Sequence, residues 1–162
     1  MRQVPVAVSM LFVCLGNICR SPLAEATFRA EAERLGLEVE VDSAGTGDWH
    51  VGRAPDPRAQ AVAARNGVDI AHLRARQVKA GDFQRFDYIV ALDENNLRDL
   101  ERMKPAAAKA KLSLLLDHVP GRAGSAVADP YYGGEEEFDL AWADVNAGAR
   151  ALAEHIADEA GL

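Results

Sequence analysis

The chain has 162 residues, of which 49% are hydrophobic and 27% charged, and a formal net charge of −7. That length supports a single domain over residues 1–162 with one hydrophobic interior, and the acidic balance excludes nucleic acid as the main partner, because affinity for a phosphate backbone rests on clustered Lys and Arg. Only two cysteines are present, at positions 14 and 19, which excludes a secreted disulfide framework and fits a reducing, cytoplasmic setting.

At the amino end, Arg2 and the run from Val4 to Val13 have the outline of a leader sequence, but no small-x-small cleavage site follows and cleavage there would cut into the segment that begins at Cys14. Met10 to Val13 reads instead as a buried parallel strand. Ser21 and Pro22 are expected to be the N-cap and first position of a helix with Leu23, Ala26, Thr27 and Ala30 as its inner stripe and Gly36 as its stop. Val39 and Val41 alternate with Glu38 and Glu40 as a second strand, closed by Asp42 to Gly45. Thr46 to Pro57, rich in Gly, Pro and Asp, reads as an irregular surface loop carrying Trp49. Asp56 and Pro57 then open a helix with Ala59, Val62 and Ala63 inward and Asn66-Gly67 as its end.

Tyr88 to Leu92 is a continuous apolar strand, followed by Asp93 as the cap of a helix that carries Leu97 and Leu100 and stops at Lys104-Pro105. Lys111 to Leu116 supplies a fourth strand and Pro120 to Gly134 a long loop. A last helix starts near Glu135 and runs to His155 or beyond, with Phe138, Ala141, Trp142, Val145, Ala149, Leu152 and Ile156 at helical spacing. Strands alternating with helices imply a parallel sheet with right-handed crossovers and a ligand site outside the carboxyl ends of its strands. No apolar run reaches the roughly eighteen residues that cross a membrane, so no membrane partner is expected.

Cys14 lies at such a strand end. From Leu15, Gly16, Asn17, Ile18 and Cys19 to Arg20 and Ser21, the loop that follows can turn its backbone N–H groups onto one point, backed by the positive end of the helix and by the planar fork of Arg20. That is a cradle for a phosphate dianion resting on the Cys14 sulfur. The same groups favour the thiolate, which is the nucleophilic form, and the Ser21 hydroxyl can donate to it. The four histidines, His50, His72, His118 and His155, show no ligand spacing with the cysteines, so neither a metal nor any other cofactor is expected.

These residues resemble the low-molecular-weight protein tyrosine phosphatases. The likeness runs from the Cys14 loop through Asp42-Ser43, Asp48-Trp49, Asp56-Pro57-Arg58 and Arg76-Gln77 to Phe86-Asp87-Tyr88-Ile89, the segment Asp93 to Leu100, and Asp129-Pro-Tyr-Tyr-Gly133. Together with the element order it implies an α/β fold: a three-layer sandwich around a four-stranded parallel sheet in the flavodoxin-like order 2-1-3-4. It further implies that Cys14 attacks phosphorus, Arg20 and the loop amides hold the phosphate oxygens, and Asp129 protonates the departing phenolate and later activates water. Taken alone, Asp129 before Pro130 would read as a turn initiator. Asn17 and Ser43 are expected to brace the loop with Ser21; His72 either joins them or is a partly exposed loop histidine. Trp49, Tyr131 and Tyr132 are expected to wall the phosphotyrosine ring.

Related phosphatases that prefer phosphoarginine resemble this loop with threonine where Ile18 stands, so Ile18 points to phosphotyrosine. Cys19 is either a packing residue or the partner of Cys14 in a reversible disulfide formed on oxidation. The partners implied are phosphotyrosine-bearing proteins, a tyrosine kinase among them, acted on by a monomer or weak homodimer. An arsenate reductase uses the same loop but needs more thiols than the two present.

Overall fold

The computed structural model describes residues 7–161; residues 1–6, where the leader-like run begins, lie outside the described residues. Four strands, β1 (Val8–Cys14), β2 (Val39–Gly45), β3 (Tyr88–Ala91) and β4 (Lys111–Leu114), pair in parallel in the order β2-β1-β3-β4. Five helices connect or follow them: α1 (Arg20–Arg34), α2 (Pro57–Arg65), the short α3 (Asp82–Arg85), α4 (Glu94–Met103) and α5 (Glu135–Glu159). Successive strand residues face opposite ways, and β1 is apolar on both sides because both sides are covered. Met10, Phe12 and Cys14 join one core with residues of α1, α2 and α5, while Leu11 and Val13 join another with Phe83 of α3 and Leu100 of α4. This is the expected three-layer sandwich with the expected strand order.

Local signals set most boundaries. Gly36 ends α1 at φ 72°, with Leu37 N–H donating to the Ala32 carbonyl (2.8 Å) and Gly36 N–H to that of Glu33 (3.2 Å), the paired bonds of a Schellman turn that a left-handed glycine permits. Asp56 caps α2 by accepting from Arg58 N–H. Asp93 caps α4 in a reciprocal box with Asn96.

Three expectations need correction. Ala26 is only half-buried and Ala30 is exposed; the inner face of α1 is Leu23, Ala24, Thr27, Phe28 and Ala32, because the largest side chain, Phe28, rotates that face toward Phe12 with ring centroids 5.5 Å apart. Ser21 is not the cap of α1: the cap position is Cys19, whose side chain makes no capping bond. β4 stops at Leu114, and Leu115–His118 form a tight 3-10 turn. Leu115 swings there onto α5 at Gly148, where an added Cβ would come within 2.5 Å of its Cγ.

The chain goes from β1 outward to β2 and then back across to β3, so the order reverses between β1 and β3. A crevice opens beyond their carboxyl ends. Cys14 and the start of α1 border it.

Candidate active site

The loop after Cys14 turns against the end of β2. Cys14 pairs with Gly45, and a Cβ at Gly45 would lie 2.7 Å from the Leu15 carbonyl oxygen, so only glycine lets the two backbones approach. Thr46 and Gly47 then donate to the carbonyls of Cys14 and Leu15 (3.0 and 2.9 Å), which turns those oxygens away from the crevice. Asn17 takes a left-handed φ of 58°, a strained conformation for a side-chain-bearing residue, and three hydrogen bonds hold it there.

Those bonds have a direction. The Glu25 carboxylate, buried and paired with Arg29 (3.0 Å), accepts from Ser43 Oγ at 2.7 Å. Ser43 Oγ then accepts from Asn17 Nδ2 (3.0 Å), which gives its second hydrogen to Ser21 Oγ (2.8 Å). Ser21 is left with its own proton, and Cys14 Sγ lies 3.0 Å away to receive it. Asn17 Oδ1 accepts from Arg76 N–H (3.0 Å), tying the loop to the strand-like segment beside β2. The hydroxyl expected to cap α1 therefore serves the sulfur instead. The bracing expected of Asn17 and Ser43 is present, but His72 is exposed and takes no part in it; the Arg76 backbone fills that place.

Arg20 is 2% exposed. Its Nη1 donates to Asp93 Oδ2 (2.7 Å) and to the Val127 carbonyl (2.9 Å), which fixes the plane of the guanidinium, and Nη2 lies 3.6 Å from Asp129 Oδ2. Burial works against its charge, but Cys14, Asp93 and Asp129 around it raise its pKa above the ordinary arginine value. Asp93 was legible only as a helix cap; it does both, one oxygen on Asn96 N–H and the other on Arg20. Asp129 turns its two oxygens in different directions. Its Oδ1 accepts from Tyr131 N–H (3.1 Å) as a turn initiator would, and its Oδ2 faces the crevice.

The crevice is a cleft of 430 Å³ lined by Cys14, Leu15, Gly16, Ile18, Cys19, Arg20, Trp49, His50, Asp129, Tyr131 and Tyr132. Cys14, at 3% exposure, and Arg20 lie at its base, while Trp49 (67%) and Tyr132 (99%) stand at its mouth, Tyr132 stacked on Tyr131 at 5.0 Å. All three aromatics expected to grip a substrate ring thus meet at one opening. His50 joins them against Gly16, where a Cβ would come within 2.9 Å of its Cδ2; no spacing rule marked it. Burial first, then Asp56 and Cys14, push the Cys19 thiol pKa up, so Cys19 stays protonated beside the loop. Among the described residues no group of three or more His, Cys, Asp or Glu could hold a metal, and no helix is long and apolar enough to cross a membrane.

A buried thiol, a clamped guanidinium and a carboxyl beneath aromatic walls can bind an aryl phosphate and exchange its phosphoryl group. Comparison with known proteins agrees. The sequence model of a family described as "Low molecular weight phosphotyrosine protein phosphatase" matches residues 9–161. A protein of that name from Schizosaccharomyces pombe is 50% identical over 134 residues, covering 81% of this chain and 85% of the relative. The crystal structure of a protein tyrosine phosphatase from Entamoeba histolytica with Hepes in its active site superposes with a TM-score of 0.88 at 35% identity, over 96% of this chain and 99% of that one. The Drosophila arginine phosphatase DARP has a TM-score of 0.85 at 33% identity, over 91% of this chain and 96% of its own.

Proposed function

The chain belongs to the low molecular weight phosphotyrosine protein phosphatase family, and from that membership we propose that it hydrolyses phosphotyrosine esters on proteins, with Cys14 as nucleophile. The reading is carried by one observation: the thiol and guanidinium sit at the base of a cleft whose mouth is aromatic. A phosphotyrosine is long enough to bring its phosphate to the sulfur while its ring rests between Trp49 and Tyr131. A phosphoserine is not.

In the first step, the Cys14 thiolate attacks phosphorus in line and the ester P–O bond breaks. Arg20, held by Asp93 and Val127, and the loop N–H groups take the charge on the phosphate oxygens. Asp129 gives its proton to the departing phenolate oxygen. In the second step, Asp129 takes a proton from water, whose oxygen attacks the phosphocysteine. The P–S bond breaks, inorganic phosphate leaves, and Ser21 donates to the thiolate that re-forms. No step calls on a metal. Cys19 lines the same cleft, which supports disulfide formation with Cys14 on oxidation.

The substrates are phosphoproteins, with a tyrosine kinase as the partner that makes or carries the phosphotyrosine. The arginine phosphatase likeness makes phosphoarginine the competing substrate; Ile18, partly buried on the cleft wall, gives apolar surface suited to a ring. Initial rates on peptides bearing phosphotyrosine, phosphoserine and phosphoarginine test this directly. The phosphotyrosyl peptide should turn over at least about tenfold faster than either other peptide, and a higher rate on phosphoarginine would reverse the assignment.

A further inference from the structure

Asp129 lies in the long segment between the 3-10 turn and α5, and its own side chain does little to fix it there: it is 42% exposed, with one hydrogen bond from Tyr131 N–H and a longer 3.6 Å contact to Arg20 Nη2. Two arginines hold the backbone on either side. Upstream, Arg20 donates to the Val127 carbonyl. Downstream, Arg58 on the first turn of α2 donates from Nη2 to the Tyr131 carbonyl and from Nη1 to the Gly133 carbonyl, both at 2.9 Å.

The other donors of Arg58 are committed to Asp56, with Nε and Nη2 each 3.0 Å from one carboxylate oxygen. Asp56 in turn donates its backbone N–H to the Ile18 carbonyl at 2.8 Å, inside the loop that carries Cys14. The guanidinium packs 4.7 Å from the ring centroid of Phe138 and 5.7 Å from that of Tyr131. Ile18, Asp56, Arg58 and the Tyr131–Gly133 carbonyls therefore form a continuous strut between the nucleophile loop and the acid segment.

Resting on the reading of Asp129 as the general acid, we propose that Arg58 is a positioning residue that sets the distance of Asp129 from the leaving-group oxygen. Arginine is required because only its planar fork serves two carbonyls and a carboxylate at once; lysine cannot. A shift of the acid by a fraction of an ångström costs most where the leaving group most needs a proton.

The test is a comparison of kcat/KM, which reports the first chemical step, on phenyl phosphate and on the phosphate of a much more acidic phenol. Arg58→Met keeps the apolar stem on Phe138 and removes the donors. It should lower kcat/KM on phenyl phosphate by about tenfold and on the activated ester by about twofold at most, with the rate of Cys14 alkylation by iodoacetate unchanged. In an Asp129→Ala background the same change should add nothing on phenyl phosphate. Should Arg58→Met fold poorly, Arg58→Lys is read by the same two ratios. Equal losses on both esters, or a full additional loss on top of Asp129→Ala, would overturn the strut while leaving the acid in place. Loss of leaving-group dependence in Asp129→Ala itself would overturn both.

Discussion

Asn17→Ala should destabilise the protein by about 3–4 kcal/mol, from two buried hydrogen bonds and a partly buried third at up to about 1 kcal/mol each and a left-handed backbone at about 1 more. The bonds are those to Ser21 and Ser43 and from Arg76 N–H, and the backbone term arises because Asn17 sits at φ 58°. Asn17→Gly loses the same bonds without the conformational penalty, so it should recover about 1 kcal/mol relative to alanine. Activity should not recover with it. Both variants leave Ser21 Oγ without its donor, so its proton is no longer directed to Cys14 Sγ, and kcat should fall about tenfold or more in each. Urea unfolding at constant m-value gives the stabilities, and steady-state rates on an aryl phosphate give the other half. Alanine within 1 kcal/mol of wild type, or glycine restoring turnover, would refute the reasoning: the loop would then be held by its backbone alone.

Asp93→Ala removes both a cap and the partner of a buried arginine, and should cost about 3 kcal/mol, of which about 1 is the cap; Asp93→Asn keeps the cap, so thermal melts of the two against wild type separate the terms, and an Asp93→Asn variant that melts with wild type would show that the Asp93 charge does not support Arg20. Trp49→Ala should raise KM for a phosphotyrosyl peptide several-fold while leaving inhibition by inorganic phosphate unchanged, because the ring stands at the mouth and not at the phosphate. Burial holds His118 below the ordinary histidine range, with Asp117 opposing and His155 reinforcing. The unfolded chain then binds a proton near pH ~6.5 where the folded protein does not, so this contribution is complete above that pH and declines as pH falls toward the depressed folded value. His118→Gln should flatten the slope of unfolding free energy against pH in that window, and an unchanged slope would assign it elsewhere.

The strands themselves, both capped helices and the Cys14 loop could be read from the sequence because their signals are local: an apolar run, Asp before Pro, a thiol and a guanidinium at fixed spacing; the order of the strands came with the family resemblance. What escaped was set by contacts distant in sequence. Asp93 displays one cap oxygen to any reader of the sequence, but its second reaches Arg20 only because β1 and β3 are neighbours. Glu25 looks like a solvated helix carboxylate until Ser43 arrives on β2 to meet it; its fourth-neighbour spacing from Arg29 was the available hint. Ser21 has the form of a helix cap, and the sulfur overrides that local preference. His72 could not be placed from its segment, since its side chain answers to no neighbour the spacing names. Leu115 and Leu116 have strand-like composition, but the absent side chain of Gly148 draws the chain off the sheet.

Rapid denaturation during turnover of a phosphotyrosyl substrate, followed by mass mapping of the digested protein, tests the central claim most directly. The account predicts a phosphoryl group on the peptide that contains Cys14, and a Cys14→Ser variant at least about 10³-fold slower that carries no such adduct. A phosphoryl group on any other residue, or near-normal turnover by Cys14→Ser, would contradict it.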